Sequence, residues 1–399
     1  MVELKFDNTR MLDFSSVPRA PPKLYITAET TDFDEVTLQH WRDEGFDVEY
    51  LPLENEGGPK AYVERLKTLH NGLGVGDYYG IVAYGDAAAL CLEAHIKPNN
   101  TKLCALVAYY PSSIPAPQTH YPQSMSVLVH LTVGEEIGVN RNPEVLGIQG
   151  KRRTVRKRVD PGSGAGGELN LGYKAYTYED VEAGFAEHDL DEYDKVAARL
   201  AWSRSLAAVR KGFRIEVDLE SVWDHHTDLE FKTKDAEKTL ATMVPNPYVN
   251  HVPTLTGGIG AKDLLRFYKD FFIPSNPPSL RIRLLSRTIG VDRVVDEMLC
   301  TFKHTNHIPW ILPGIPPTDK DVEVVLVGVI CIRGGKLYHE HLHWDQATVL
   351  VQVGLLDPKL VPESFKKKGV ETLPVAGAET ARKVVDEGSE ESNKLIPDW

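Results

Sequence analysis

The chain changes hydrophobic rhythm near its middle, and that change limits the architectures open to it. Up to residue 212, short β-rich apolar runs (23–28, 46–53, 78–84, 103–110 and 125–131) alternate with amphipathic stretches, notably 33–44, 59–71 and 86–95. Strands separated by helices predict a mostly parallel sheet covered on both faces. From 280 to 344, four strand-like runs (280–289, 293–304, 322–332 and 336–344) follow one another without an intervening helix. Serial strands predict an antiparallel sheet, strongly curved where it wraps the helices read over 216–230 and 260–271. A chain of 399 residues exceeds the usual size of one core, so the two rhythms predict two domains. The first, 1–212, is α/β and closes with a long amphipathic helix near 192–210, ending at Gly212; the second, 213–360, is α+β and carries a short helix over 346–353. Beyond Pro358 large apolar groups are few, which predicts a charged, extended C-terminal tail over 361–399 with one short helix.

Composition narrows the function classes. A net charge of −12 argues against a general nucleic-acid surface. The run Lys151-Arg152-Arg153-Thr154-Val155-Arg156-Lys157-Arg158 is the local exception, read as a solvated excursion between strands, with nuclear import or anion binding as alternatives. No segment is long and apolar enough for a membrane span and the start does not look like a signal peptide, so a cytoplasmic protein without membrane partners is expected. Cys91, Cys104, Cys300 and Cys331 are scattered, which predicts neither a zinc knuckle nor a disulfide framework but reduced, buried thiols.

In the first half, a strand-turn-helix over 78–95 precedes Ala108-Tyr109-Tyr110-Pro111. It ends with Tyr178, Gly184-Phe185-Ala186-Glu187, Tyr193-Asp194 and Ala201-Trp202. On these residues the segment 22–212 resembles the dienelactone hydrolase family of α/β-hydrolases. That family carries a cysteine in Gly-X-Cys-X-Gly on a sharp turn that lifts the thiolate above the sheet. Here the turn reads Ala83-Tyr84-Gly85-Asp86-Ala87, and Ala183 stands where the family histidine precedes Gly-Phe. Only Gly134-Glu135-Glu136 offers a relic of the acidic member. Without nucleophile and base there is no acyl-enzyme, so the resemblance implies a hydrolase fold without its hydrolase, serving as scaffold, dimerisation surface or substrate funnel. Asp86 as a substitute carboxylate nucleophile has no matching histidine, and Ser112 and Ser113 read as a turn.

The second half contains Trp223-Asp224-His225-His226, Asn250-His251, Phe302-Lys303-His304-Thr305, Gly314-Ile315-Pro316-Pro317-Thr318 and Gly335-Lys336-Leu337 followed by Glu340-His341 and Asp345. From 216 to 357 it is similar to SnoaL-like polyketide cyclases of the nuclear-transport-factor-two-like superfamily, with scytalone dehydratase, ketosteroid isomerase and limonene epoxide hydrolase. The resemblance implies a cone with an apolar interior, acting without cofactor or metal through a carboxylate and histidine or tyrosine partners. Burial raises a carboxylate's pKa, and fixed donors stabilise an enolate. By motif position, Asp345 is the principal acid/base and His304 a proton partner.

The stretch His339-Glu340-His341-Leu342-His343-Trp344-Asp345-Gln346 is the most chemically loaded segment. It follows a plausible tight turn at 333–336, and strand alternation puts Leu337, His339, His341, His343 and Asp345 on one face and Tyr338, Glu340, Leu342 and Trp344 on the other. His341 joins Asp345 and His304 as a candidate proton partner, while Tyr248, His251, His226, Trp344 and Arg287 are candidates for the substrate-binding wall. Helical spacing with Val222, Trp223 and Leu229 favours His226 over His225 for the interior. Each has a bland alternative: Asp345 as a helix N-cap before Thr348, His304 as a strand-end residue, Arg287 as a surface ion pair. A metal site on His339, His341 and His343 is disfavoured because the row spans about 13 Å at strand rise. The expectation is a cofactor-independent isomerase, cyclase or dehydratase acting on a small apolar carbonyl or hydroxyl compound, with a homodimer as the assembly that the resemblance to cone-fold proteins implies. The alternatives are a non-catalytic binding or assembly protein and a retained ester or lactone hydrolase.

Overall fold

The computed structural model describes residues 20–54, 57–141, 144–145, 148–149 and 153–399, and divides into two compact units, Met1–Ile215 and Glu216–Trp399. In the first, β1 (Lys23–Thr27), α1 (Glu35–Asp43), β2 (Asp47–Tyr50), α2 (Gly58–Thr68), β3 (Tyr79–Tyr84), α3 (Gly85–Ala94), β4 (Leu103–Tyr109) and β5 (Ser126–Thr132) alternate as the sequence predicts. The excursion that follows holds β6 (Glu136–Arg141) and β7 (Arg153–Arg158), after which β8 (Glu168–Leu169), β9 (Lys174–Tyr178) and α4 (Lys195–Phe213) complete the unit. The main sheet runs β8-β9-β5-β4-β3-β1-β2, parallel throughout except for β8. Strands β3 and β4 are buried at every position, as their unbroken apolar runs require of central parallel strands.

Two details differ from expectation. Helix α4 passes through Gly212 and stops at Arg214 in the left-handed region. Gly212 is needed for proximity: a Cβ there would lie 2.4 Å from the Cys104 carbonyl oxygen on β4. The basic run forms the exposed strand β7, antiparallel to β6, while Lys151 and Arg152 lie outside the described residues.

The second unit opens with α5 (Leu219–Asp228), capped by Asp218 accepting the Ser221 N–H, and continues into a π-helical turn, Leu229–Thr233. Then come α6 (Ala236–Ala241), β10 (Met243–His251), β11 (Thr256–Ile259), α7 (Ala261–Arg266) and a second π-helical turn, Phe267–Phe272. Strands β12 (Arg281–Ile289), β13 (Arg293–Lys303), β14 (Asp321–Arg333) and β15 (Lys336–Trp344) lead to α8 (Gln346–Gln352). The sheet order is β11-β10-β15-β14-β13-β12. It is mixed rather than wholly antiparallel, because β10, separated from β15 by most of the unit, pairs with it in parallel. Pro245 and Pro247 lie within this strand, and the register shifts between Met243 and Tyr248, around the prolines. Strands β13 and β14 alternate buried and half-buried residues, the pattern of a sheet with one face on a core.

The predicted extended tail is folded. Short helices Glu363–Lys366 and Glu379–Val385 form; Val361 and Ala381 are buried, and Arg382 pairs with Glu323 on β14. The four cysteines are buried and unbridged. Among the described residues no helix is long and apolar enough to cross a membrane.

Candidate functional site

On β15 the expected alternation is observed from His339 onward, with Glu340, Leu342 and Trp344 facing the interior and His343 and Asp345 exposed; the register shift between the Cys331–His339 and Ile332–Leu337 pairs turns Leu337, expected on the histidine face, into the core. The inward row carries one carboxyl, on Glu340. Helix α5 and its π-helical turn deliver His226 and Glu230, four residues apart and therefore on one face, against it. All three residues are buried, and one donor atom from each lies within 4.8 Å of the others.

Hydrogen bonding assigns the histidine's tautomer. The Thr242 hydroxyl donates to the Thr239 carbonyl at 2.7 Å and contacts His226 Nδ1 at 2.6 Å. Having spent its one proton, it accepts from Nδ1–H. His226 Nε2 then faces Glu230 Oε1 at 3.1 Å, a contact satisfied only with a proton between them, carried by one or the other. Glu340 is the third member. Burial, and then the neighbouring charge of Glu230, hold its carboxyl well above the usual carboxylate range, which favours its protonated form. Trp223 stacks on the His226 ring, and the Tyr268 hydroxyl is buried close by.

Glu230 and Glu340 open onto a cavity of about 520 Å³ walled by Trp223, Phe231, Phe272, Trp310, Leu326 and Leu342. Its volume lies within the range of small-molecule sites, and an aromatic and aliphatic wall with a few convergent polar groups suits one apolar ligand.

The residues singled out in the sequence are distributed otherwise. Asp345 is corrected from catalytic acid to helix cap: Oδ1 accepts from the Ala347 and Thr348 N–H groups at 2.9 and 3.3 Å, and Oδ2 from the Thr348 hydroxyl at 2.9 Å. His341 lies on the face of β15 opposite Glu340, stacked on His339 and edge-on to Tyr248 of β10. Because alternation separates neighbours, neither His341 nor Tyr248 reaches the cavity. His304 is buried beyond the end of β13, its Nδ1 on the Thr318 hydroxyl at 3.0 Å and its pKa lowered by burial and by His307; it does not line the cavity. His251 is buried among Phe267, Phe272, Trp310 and Trp344, bonded to Thr256, and pushed down to about 3 by burial. With Trp344, whose Nε1 donates to Gln346, it backs the cavity wall.

Arg287 does line the cavity, and four of its five guanidinium N–H groups are engaged: Nε and Nη2 clamp buried Asp296 at 2.7 and 2.8 Å, and Nη1 meets Glu220 and Asp224 at 2.9 Å. Trp223 Nε1 donates to the same aspartate. This network fixes the wall. Of the candidate set only His226 belongs to the cluster, while Glu230, Glu340 and Tyr268 were missed. The signals were present: a carboxylate in an inward row with Leu342 and Trp344, and a His-x-x-x-Glu pair.

In the first unit, Gly85 opens α3 at φ +51°, the sharp turn expected of an elbow. Glu29, after β1, fills the space a side chain at 85 would need: a Cβ there would sit 1.8 Å from its Oε1, which accepts the Asp86 N–H. The loop after β9 brings the Ala183 N–H to Glu135 Oε1 at 2.8 Å. A histidine does follow, His188, whose Nδ1 pairs with buried Asp34 at 2.8 Å.

No family model matches the chain, and no curated protein matches it. Among solved structures, TsrD from Streptomyces laurentii is 18% identical, covers 35% of this chain and 100% of its own, with a TM-score of 0.29. A proposed polyketide cyclase from Acidithiobacillus ferrooxidans is 20% identical over 35% of this chain and 96% of its own, TM-score 0.30. A proposed SnoaL-like polyketide cyclase from Jannaschia is 16% identical over 36% and 99%, TM-score 0.28. The structural neighbours are thus SnoaL-like and NTF2-like proteins spanning about 35% of the chain.

Proposed function

We propose that the second unit is a general acid/base enzyme that isomerises, cyclises or dehydrates a small apolar carbonyl or hydroxyl compound, using Glu340, Glu230 and His226. The observation that carries this reading is the proton-sharing His226–Glu230 contact beside buried Glu340 at the wall of an aromatic cavity. Neutral Glu340 donates to the substrate oxygen, stabilising charge as it develops. Glu230, with its proton resting on His226, takes a proton from the carbon next to the carbonyl and returns it to the neighbouring position. The apolar walls exclude water and keep both groups poised.

A cone filled with side chains would favour the non-catalytic binding alternative; an open cavity with two carboxyls supports the enzyme. The first unit, with glycine at its elbow and alanine at the base position, is assigned a scaffolding role. The test is hydrogen–deuterium exchange at the α-carbon of a small cyclic ketone in D₂O, followed by proton NMR. Exchange above the buffer rate, reduced at least about 100-fold in E230Q and in E340Q, is expected. Equal exchange by folded E230Q and wild type would sink the proposal.

A further inference from the structure

The same three residues form an arrangement that the acid/base reading does not require. We propose that His226 Nε2, with one oxygen each from Glu230 and Glu340, binds one divalent transition cation, Zn²⁺ foremost.

Four observations converge. First, the donor atoms already lie within 4.8 Å of one another, all on buried side chains. Bonds of about 2.0–2.2 Å at tetrahedral angles place ligand atoms roughly 3.4 Å apart, so the carboxylates need to close by only about an ångström. Second, His226 is held as a ligand is held. Its Nδ1–H is committed to Thr242, which is anchored on the Thr239 carbonyl, leaving Nε2 to face the carboxylates. Third, the Tyr268 hydroxyl is buried beside Glu230 without a hydrogen bond of good geometry, on a residue 1% exposed. Its ring lies edge-on to the His226 ring with centroids 6.3 Å apart, which locates it at the cluster. A ligand carboxylate turned onto a cation would present a lone pair to this donor. Fourth, among the described residues no lysine or arginine pairs with either glutamate, so no resident side-chain cation competes for their oxygens.

One imidazole and two carboxylates are a donor set acceptable to Zn²⁺, Fe²⁺ or Mn²⁺. Three protein ligands leave the next position toward the cavity, where Glu230 and Glu340 form part of the wall. A carbonyl or water placed there would be polarised by the cation. This site is distinct from the His339, His341 and His343 row, whose members alternate with Glu340 and face away from it.

The inference goes beyond the acid/base reading, and one set of measurements separates them. Full-length protein is stripped with chelator, dialysed and titrated calorimetrically with ZnCl₂, and a parallel sample is loaded with Co²⁺ for visible absorption. The expected result is one Zn²⁺ per chain with a Kd of about 1 µM or tighter, weakened at least about 100-fold in E340Q and in E230Q, and tetrahedral Co²⁺ bands that disappear in H226Q. Circular dichroism identifies any variant that fails to fold; Y268F, which keeps all three ligands, must retain the stoichiometry. Uptake below a tenth of an equivalent, or Zn²⁺ bound equally tightly by folded E340Q and E230Q, overturns the proposal. Ketone exchange by the stripped, metal-free protein keeps the acid/base reading independent of this result; Zn²⁺ bound as expected without exchange in either form keeps the site and removes that reading.

Discussion

Replacing Asp345 with alanine separates a capping role from a catalytic one. The Asp345 carboxylate accepts from two backbone N–H groups at the start of α8 and from the Thr348 hydroxyl, while being exposed itself. Loss of an N-cap costs about 1 kcal/mol. Thr348 is wholly buried, so stranding its hydroxyl adds about another 1 kcal/mol. About 2 kcal/mol in a unit of this size lowers its melting temperature by roughly 4–8 °C. Asp345→Asn, which keeps an acceptor for the N–H groups, should recover more than half of the loss. The assay pairs scanning calorimetry with ketone exchange at a temperature where every variant is folded. D345A is expected to melt early and exchange normally; E340Q is expected to stay folded and lose exchange. A D345A protein with unchanged melting and abolished exchange would refute both the capping argument and the placement of chemistry on Glu340.

Three further outcomes are expected. Glu187, pushed up to about 7 by burial against the partial offset of its Tyr110 hydrogen bond, holds its proton more tightly folded than unfolded. Both states are protonated below about pH 4, so no penalty exists there; stability then falls as pH rises toward 7, by up to about 3 kcal/mol, and urea midpoints of E187Q should lack that decline. Arg287→Ala leaves buried Asp296 with only Trp223 Nε1 and should cost about 3–5 kcal/mol by chemical denaturation, a value below 1 indicating that the pair is not a real anchor. Gly85→Cys forces a side chain into the Glu29 carboxylate at positive φ; it should destabilise by about 1–3 kcal/mol and give no burst with a nitrophenyl ester, a burst showing that the elbow tolerates a nucleophile after all.

Much of this architecture was legible from periodicity. Runs such as 79–84 and 103–109 read as strands of a parallel sheet, and the alternation along 339–344 assigned the side chains of that part of β15 to their faces, while a register shift turned Leu337 inward. The sequence drew attention to the histidines that crowd the outer row, while the inner row offers one carboxyl among apolar neighbours. Glu340 acquires meaning only when Glu230, over a hundred residues earlier, packs against it, and neither spacing nor propensity reports that contact. Asp345 shows the converse: the cap signal with Thr348 was local and readable, and a motif position taken from resemblance outweighed it. Strand β10 carries two prolines, whose disruption the fold absorbs as a register shift.

Glu230 and Tyr268 both ride on π-helical turns, Leu229–Thr233 and Phe267–Phe272. Each such turn is an α-helix with one residue too many, a local defect that regular hydrogen bonding would favour repairing. Deleting a residue upstream of either turn would rotate its cargo by about 100° around the helix, out of the cluster. A library of single-residue deletions screened for thermal resistance should therefore enrich smooth helices and empty cavities together, so that the lineage that gains the better scaffold forgets the reaction.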